Sequence, residues 1–133
     1  MTSNNKNYSI LSVGEFSKFS DKGRKEIGEE LGLTGSEILV NSLPTNASIP
    51  FIHSHKLNEE VYVIVQGEGE FMVDGEEFTI KEGSVIRVAP EGERVLKAGD
   101  NGLVYICIQT QKDSLQQATH EDGVMHESKA SWM

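Results

Sequence analysis

The chain has 133 residues, 37% of them hydrophobic, with 21 acidic against 12 basic side chains and a net charge of −9. That surface repels nucleic-acid phosphates and anionic membrane, so neither is expected as a partner. The length suits one domain over residues 1–133, and the single cysteine, Cys107, excludes an intrachain disulfide and a cysteine zinc cluster.

The opening residues hold no apolar stretch of the signal-peptide kind, and no run of about 18 apolar residues occurs. A cytoplasmic protein is therefore expected. Tyr8–Val13 reads as strand-like. Lys22–Leu31 is predicted as a short helix, with Asp21 as cap and Ile27 and Leu31 at i, i+4 spacing, against the cost of Gly23 and Gly28.

From Glu37 onward, short β-branched runs alternate with Gly, Asn and Asp clusters, which predicts an all-β sandwich or barrel. The runs are Ile38–Val40, Val61–Val65, Glu70–Val73, Glu77–Ile80, Ser84–Val88, Arg94–Leu96 and Leu103–Ile108. Asp74-Gly75 between two of them predicts a two-residue hairpin turn, since both central positions of a type I′ turn need positive φ. The core is placed at about 37–109 and a polar extension at 110–133. Within that extension, Asp113 or Ser114 is a possible cap for a helical turn at Leu115–Gln117. Trp132 is expected to pack back onto the barrel.

The chemistry concentrates in Ile52–Tyr62. His53 and His55 stand at i, i+2, which on an extended backbone turns both imidazoles to one face. A turn at Lys56–Asn58 lets Glu60 return on the next strand toward the same side. Two imidazoles and one carboxylate in a barrel interior suit a divalent metal such as zinc, nickel, iron, cobalt or manganese. The same three residues also suit a polar pocket that binds its ligand without metal.

With Gly67, this stretch resembles the first motif of the cupin superfamily. That motif runs glycine, five residues, His-x-His, three or four residues, Glu, six residues, glycine. His53, His55, Glu60 and Gly67 match in order and spacing, and Ala47 stands at the leading glycine. Gly83 and Pro90-Glu91-Gly92 resemble the start of the second motif with one extra residue before the proline. The motif's histidine, the fourth metal ligand, then falls on Val95. The resemblance implies a double-stranded β-helix, or jelly-roll barrel, with a pocket at its mouth, and a homodimer. It implies no single activity.

Around the site, Tyr62 and Ile64 share the face of Glu60 and are expected to line the pocket, while alternation turns Glu59 away. Tyr62 is the candidate for proton handling; as a core aromatic it would only need a partner for its hydroxyl. Arg94, and less so Arg87, is read either as a pocket group for a carboxylate or phosphate or as half of a surface ion pair. Cys107 reads as a small buried hydrophobe, and His120 and His126 as exposed tail residues. Two functions follow: a metal-dependent enzyme, of dioxygenase or isomerase/epimerase type, acting on a small organic acid or sugar-like ligand, or a non-enzymatic binding or sensing module.

Overall fold

The computed structural model describes residues 2–4, 7–21, 23–117 and 119–133. The chain is mostly β. Its strands are β1 (Thr2–Asn4), β2 (Ser9–Leu11), β3 (Arg24–Glu26), β4 (Glu37–Leu43), β5 (Asn58–Val73), β6 (Glu76–Lys81), β7 (Val85–Val88) and β8 (Arg94–Gln111). β1 and β2 form a small antiparallel pair. The others form one antiparallel sheet in the order β3-β4-β8-β5-β6, with β7 added on β5.

Two pairs of expected runs are fused. Val61–Val65 and Glu70–Val73 lie in one 16-residue strand, and Arg94–Leu96 and Leu103–Ile108 in one of 18 residues. The glycines between them make bulges rather than turns. The β5–β8 register shifts between Ile64 and Gln66 and again between Gly67 and Gly69. Gly67 has φ 84°, and a Cβ there would collide with the Gly102 carbonyl. A bulge sharpens local twist, and it lets one long strand serve two parts of a curved sheet. The first part of β5 accordingly lies between β7 and β8, and its second part between β6 and β8. The β5–β6 turn is as expected, with Asp74 at φ 52° and Gly75 at φ 84°.

Alternation along the strands separates two apolar clusters. Leu39, Leu43, Tyr62, Ile64, Phe71, Leu96, Leu103 and Cys107 belong to the larger, interior one. Val40 and Val104 point the other way and pack with Phe19, joined by Val13, Phe16 and Ile27. The N-terminal segment thus covers the outer face of β4 and β8, so β4 is buried on both faces along most of its length.

That covering role overrides the predicted N-terminal helix. Lys22 lies outside the described residues. Phe16–Asp21 is a 3-10 helix that delivers Phe19, Arg24–Glu26 pairs with β4, and only Gly28–Leu31 (α1) forms an α turn. Gly32 ends α1 at φ 74°. Edge pairing satisfies the backbone of β3, which a glycine-flanked helix would have done less well. In the tail, residues 115–117 are not helical, and a single turn, α2 (Thr119–Asp122), follows them. Trp132 is 86% exposed, contrary to expectation. Phe16 and Phe19, not Trp132, cover the outer face of β4 and β8.

Candidate functional site

Residues 44–57 leave β4 and run back along the start of β8. Backbone bonds fix them there: His53 N–H donates to the Arg94 carbonyl (3.2 Å) and Arg94 N–H to the His53 carbonyl (3.0 Å). His55 N–H donates to the Pro90 carbonyl (2.8 Å). The two rings fall on one side, edge to face with centroids 5.1 Å apart. The chain bends at Lys56–Leu57 and enters β5, whose third residue is Glu60. His53 Nε2 then lies 3.7 Å from Glu60 Oε1, and His55 Nε2 lies 3.3 Å from Glu60 Oε2. One ligand atom from each of the three residues falls within 4.8 Å of the others.

The cluster sits in the wall of a cavity of about 210 Å³, also lined by Tyr62, Arg94 and Tyr105. Glu60, with a 4% exposed side chain, accepts a hydrogen bond from the Tyr62 hydroxyl (2.6 Å) and a weak one from the Cys107 thiol (3.3 Å). Arg94 Nε is 3.8 Å from Glu60 Oε1. Burial pushes the Glu60 carboxyl up, but the Tyr62 and Cys107 bonds, with His55 and Arg94 beside it, outweigh burial and hold it below its usual range. Burial lowers His53, helped by Arg94 and His55 and opposed by Glu60, so this imidazole favours its neutral form. Burial, with the Cys107 and Glu60 charges, raises the Tyr62 phenol. Burial and Glu60 likewise raise the Cys107 thiol.

The donor set fits a divalent metal. His55 Nε2 is buried with no hydrogen-bond partner, although Glu60 Oε2 is its neighbour. Where Nε2 carries its lone pair, this approach to a carboxylate oxygen is repulsive unless a cation lies between them. Two imidazoles and a carboxylate are ordinary ligands for such a cation.

Of the expected site residues, His53, His55, Glu60, Tyr62 and Arg94 come together. Ile64 shares the face but lies in the interior core and does not line this cavity. Val95 touches the cavity wall, yet Arg94, Leu96 and Ala98 are the buried alternate positions of β8. The inward residue where the fourth ligand was counted is therefore Arg94. Its side chain is 0% exposed, which excludes the surface ion pair. Arg87 is exposed on β7. His120 and His126 are exposed and stand outside the cluster. Glu59 is half-buried beside Asn58 at a separate surface groove.

Among the lining residues missed as site residues are Asn41, Tyr105 and Cys107. Asn41 Nδ2 donates to the Tyr105 hydroxyl (2.8 Å), and burial raises that phenol to about 12. Cys107 is the buried small residue expected, but its thiol also serves Glu60. Alternation on β4 and β8 would have found them, since Asn41 pairs with Tyr105 and Cys107 with Tyr62.

Comparison with known proteins agrees with this geometry. The cupin domain family matches residues 40–108. The chain belongs to the cupin family. A cupin protein from Bacteroides fragilis has a crystal structure that superposes on this cupin with a TM-score of 0.83 at 39% identity, covering 92% of this chain and 99% of that one. A predicted oxalate decarboxylase from Thermotoga maritima shares the fold at a TM-score of 0.59 and 22% identity, covering 66% of this chain and 78% of its own. A Methanocaldococcus jannaschii protein is 28% identical over 85 residues, which are 63% of this cupin and 64% of that protein's length. These similarities establish the fold and family and leave the ligand open.

Proposed function

We propose that this cupin is a cytoplasmic homodimer that holds a divalent metal between His53, His55 and Glu60 and binds a small organic ligand beside it. The observation that carries the reading is the buried, unpartnered His55 Nε2 facing Glu60 Oε2. When bound, the ion supplies Lewis acidity to a ligand oxygen. The protein's own groups hold that arrangement: the Tyr62 hydroxyl fixes one Glu60 oxygen, and backbone bonds to Arg94 and Pro90 fix both histidines.

Melting temperature measured with zinc, nickel, cobalt or iron tests the reading. Mass action predicts a rise that grows with metal concentration, is abolished by His55→Ala and is retained in His126→Ala. A shift lost in His126→Ala but kept in His55→Ala would place the site in the tail. No shift with any of these metals would leave a metal-free ligand pocket.

A second reading, a binding module without turnover, is favoured by Tyr62. Its hydroxyl is committed to Glu60 and its phenol is held protonated, so it positions the carboxylate and is a poor proton acceptor. Saturable binding with no turnover on diketones, sugar phosphates and amino-acid derivatives is the outcome that separates it from an enzyme.

A further inference from the structure

Arg94 is the largest fully buried side chain described in the protein. Its Nη2 donates to the Ala89 carbonyl (2.9 Å), while Nε and Nη1 are buried without a hydrogen-bond partner. A guanidinium stays charged and offers five N–H donors, so leaving two of its nitrogens unpaired away from water is costly. Glu60 offsets the charge as an ion pair but supplies no hydrogen bond to these nitrogens. It stands 3.8 Å from Nε and already accepts from Tyr62 and Cys107. The unpaired nitrogens belong to a side chain that lines the cavity.

Charge points the same way. A divalent cation among two neutral histidines and one carboxylate, beside a guanidinium, leaves two positive charges unbalanced in a buried place. The surrounding protein is strongly acidic overall, at −9, so this excess is local and is built by the pocket.

We propose that Arg94 is the recognition group for a small carboxylate that binds in the cavity together with the metal. Size and lining narrow the class. The cavity holds about 210 Å³, below the roughly 300–1,000 Å³ of pockets for drug-sized molecules. Leu39, Ile49 and Leu96 give it apolar wall, so the body of the ligand is short and carbon-rich rather than a polyhydroxylated sugar. Nε and Nη1 lie on different edges of the guanidinium, so one of them together with a metal position offers two contacts, the number that the two oxygens of a carboxylate fill. The coupling to metal rests on the metal reading above; recognition by Arg94 rests on the guanidinium alone.

Calorimetric titration of the full chain with propionate, with and without saturating zinc, tests this, using propionamide and inorganic phosphate as comparators. Propionate is expected to bind about tenfold or more tightly with zinc than without, and more tightly than its neutral isostere by a similar factor. Arg94→Met should abolish propionate binding and keep the zinc-induced melting shift. Arg94→Lys keeps the charge, guards against a Met variant that does not fold, and should weaken propionate about tenfold through loss of the guanidinium's fixed, directed N–H donors. Equal affinity for propionate and propionamide, or undiminished binding in Arg94→Lys, overturns the proposal. Phosphate binding more tightly than propionate overturns the carboxylate class. A wild type that shows no zinc-induced shift overturns the metal reading instead. Propionate titrated into the metal-free protein then decides the role of Arg94, because binding weakened in Arg94→Lys supports it and absent or unaffected binding overturns it.

Discussion

Glu60 keeps its charge where water does not reach, because Tyr62, Cys107, the two histidines and Arg94 surround it. Removing one partner of a buried ion pair strands the other charge, whereas replacing both is far milder. Glu60→Gln should therefore destabilise the metal-free protein by about 3–5 kcal/mol, read from urea unfolding. The double variant with Arg94→Met should recover most of that loss, and strictly additive losses would show that the two charges do not interact. Protonation reaches the same groups. Glu60 is held below its ordinary 4.5, so its contribution is full above pH 4.5 and is lost as pH falls through the folded value. His53 is held below 6.5, so the unfolded chain takes up its proton first and stability falls as pH drops from 6.5 toward the folded value. Both slopes have the same sign, and the melting temperature of the metal-free protein should decline steadily from neutral pH to below 4.5. His53 is partly exposed, so solvent screening makes its share the smaller. The clustering of His53, His55 and Glu60 was legible from the i, i+2 pair taken with a turn at Lys56–Asn58 and the motif resemblance that places Glu60. Arg94 was harder to place. Counting from Gly92 singles out Val95, and only the pairing of Arg94 with His53 shows which of the two neighbours faces in.

At the level of elements, strand identity after residue 36 was written in the β-branched runs, and the Asp74-Gly75 turn in its two residues. Strand length was not. A glycine between two apolar runs marks a turn or a bulge equally well, and the choice depends on whether a partner strand bulges opposite it, as β8 does. Lys22–Leu31 carried weak helical periodicity, and the chance to pair with β4 decided its fate. Trp132 shows the converse: the size of an apolar residue does not by itself say that it packs, and this one stands in solvent. The bulge also explains why the site motif ends on Gly67. At φ 84°, with the Gly102 carbonyl across from it, the position excludes a side chain. Gly67→Ala should lower stability by more than about 1 kcal/mol. Gly75→Ala, at the same φ but with open space around it, should cost less. Equal losses in thermal or urea unfolding would mean that strain at positive φ, not the close approach of β5 and β8, sets the requirement.

For the whole molecule, the sheet ends at β3 and β6, and each end leaves a row of backbone donors and acceptors that another chain can pair with. Apolar side chains also stand in solvent: Ile10 on β2, Phe51, Ile52 and Leu57 on the segment carrying the histidines, and Val85 on β7. A second copy of the chain covers such surfaces with one symmetric contact. Opposing this, each copy carries −9, so two copies repel at low ionic strength. The homodimer proposed above therefore has a definite salt signature. Sedimentation at about 10 micromolar should give twice the 14.7 kDa chain mass. Raising salt from about 0.05 to 0.5 M should tighten association, because screening weakens the repulsion while apolar burial persists. Ile10→Asp should loosen it if β2 lies in the contact. A monomer at all salt concentrations would overturn the homodimer. Association that salt dissolves would mean the contact is held by ion pairs rather than by these apolar side chains.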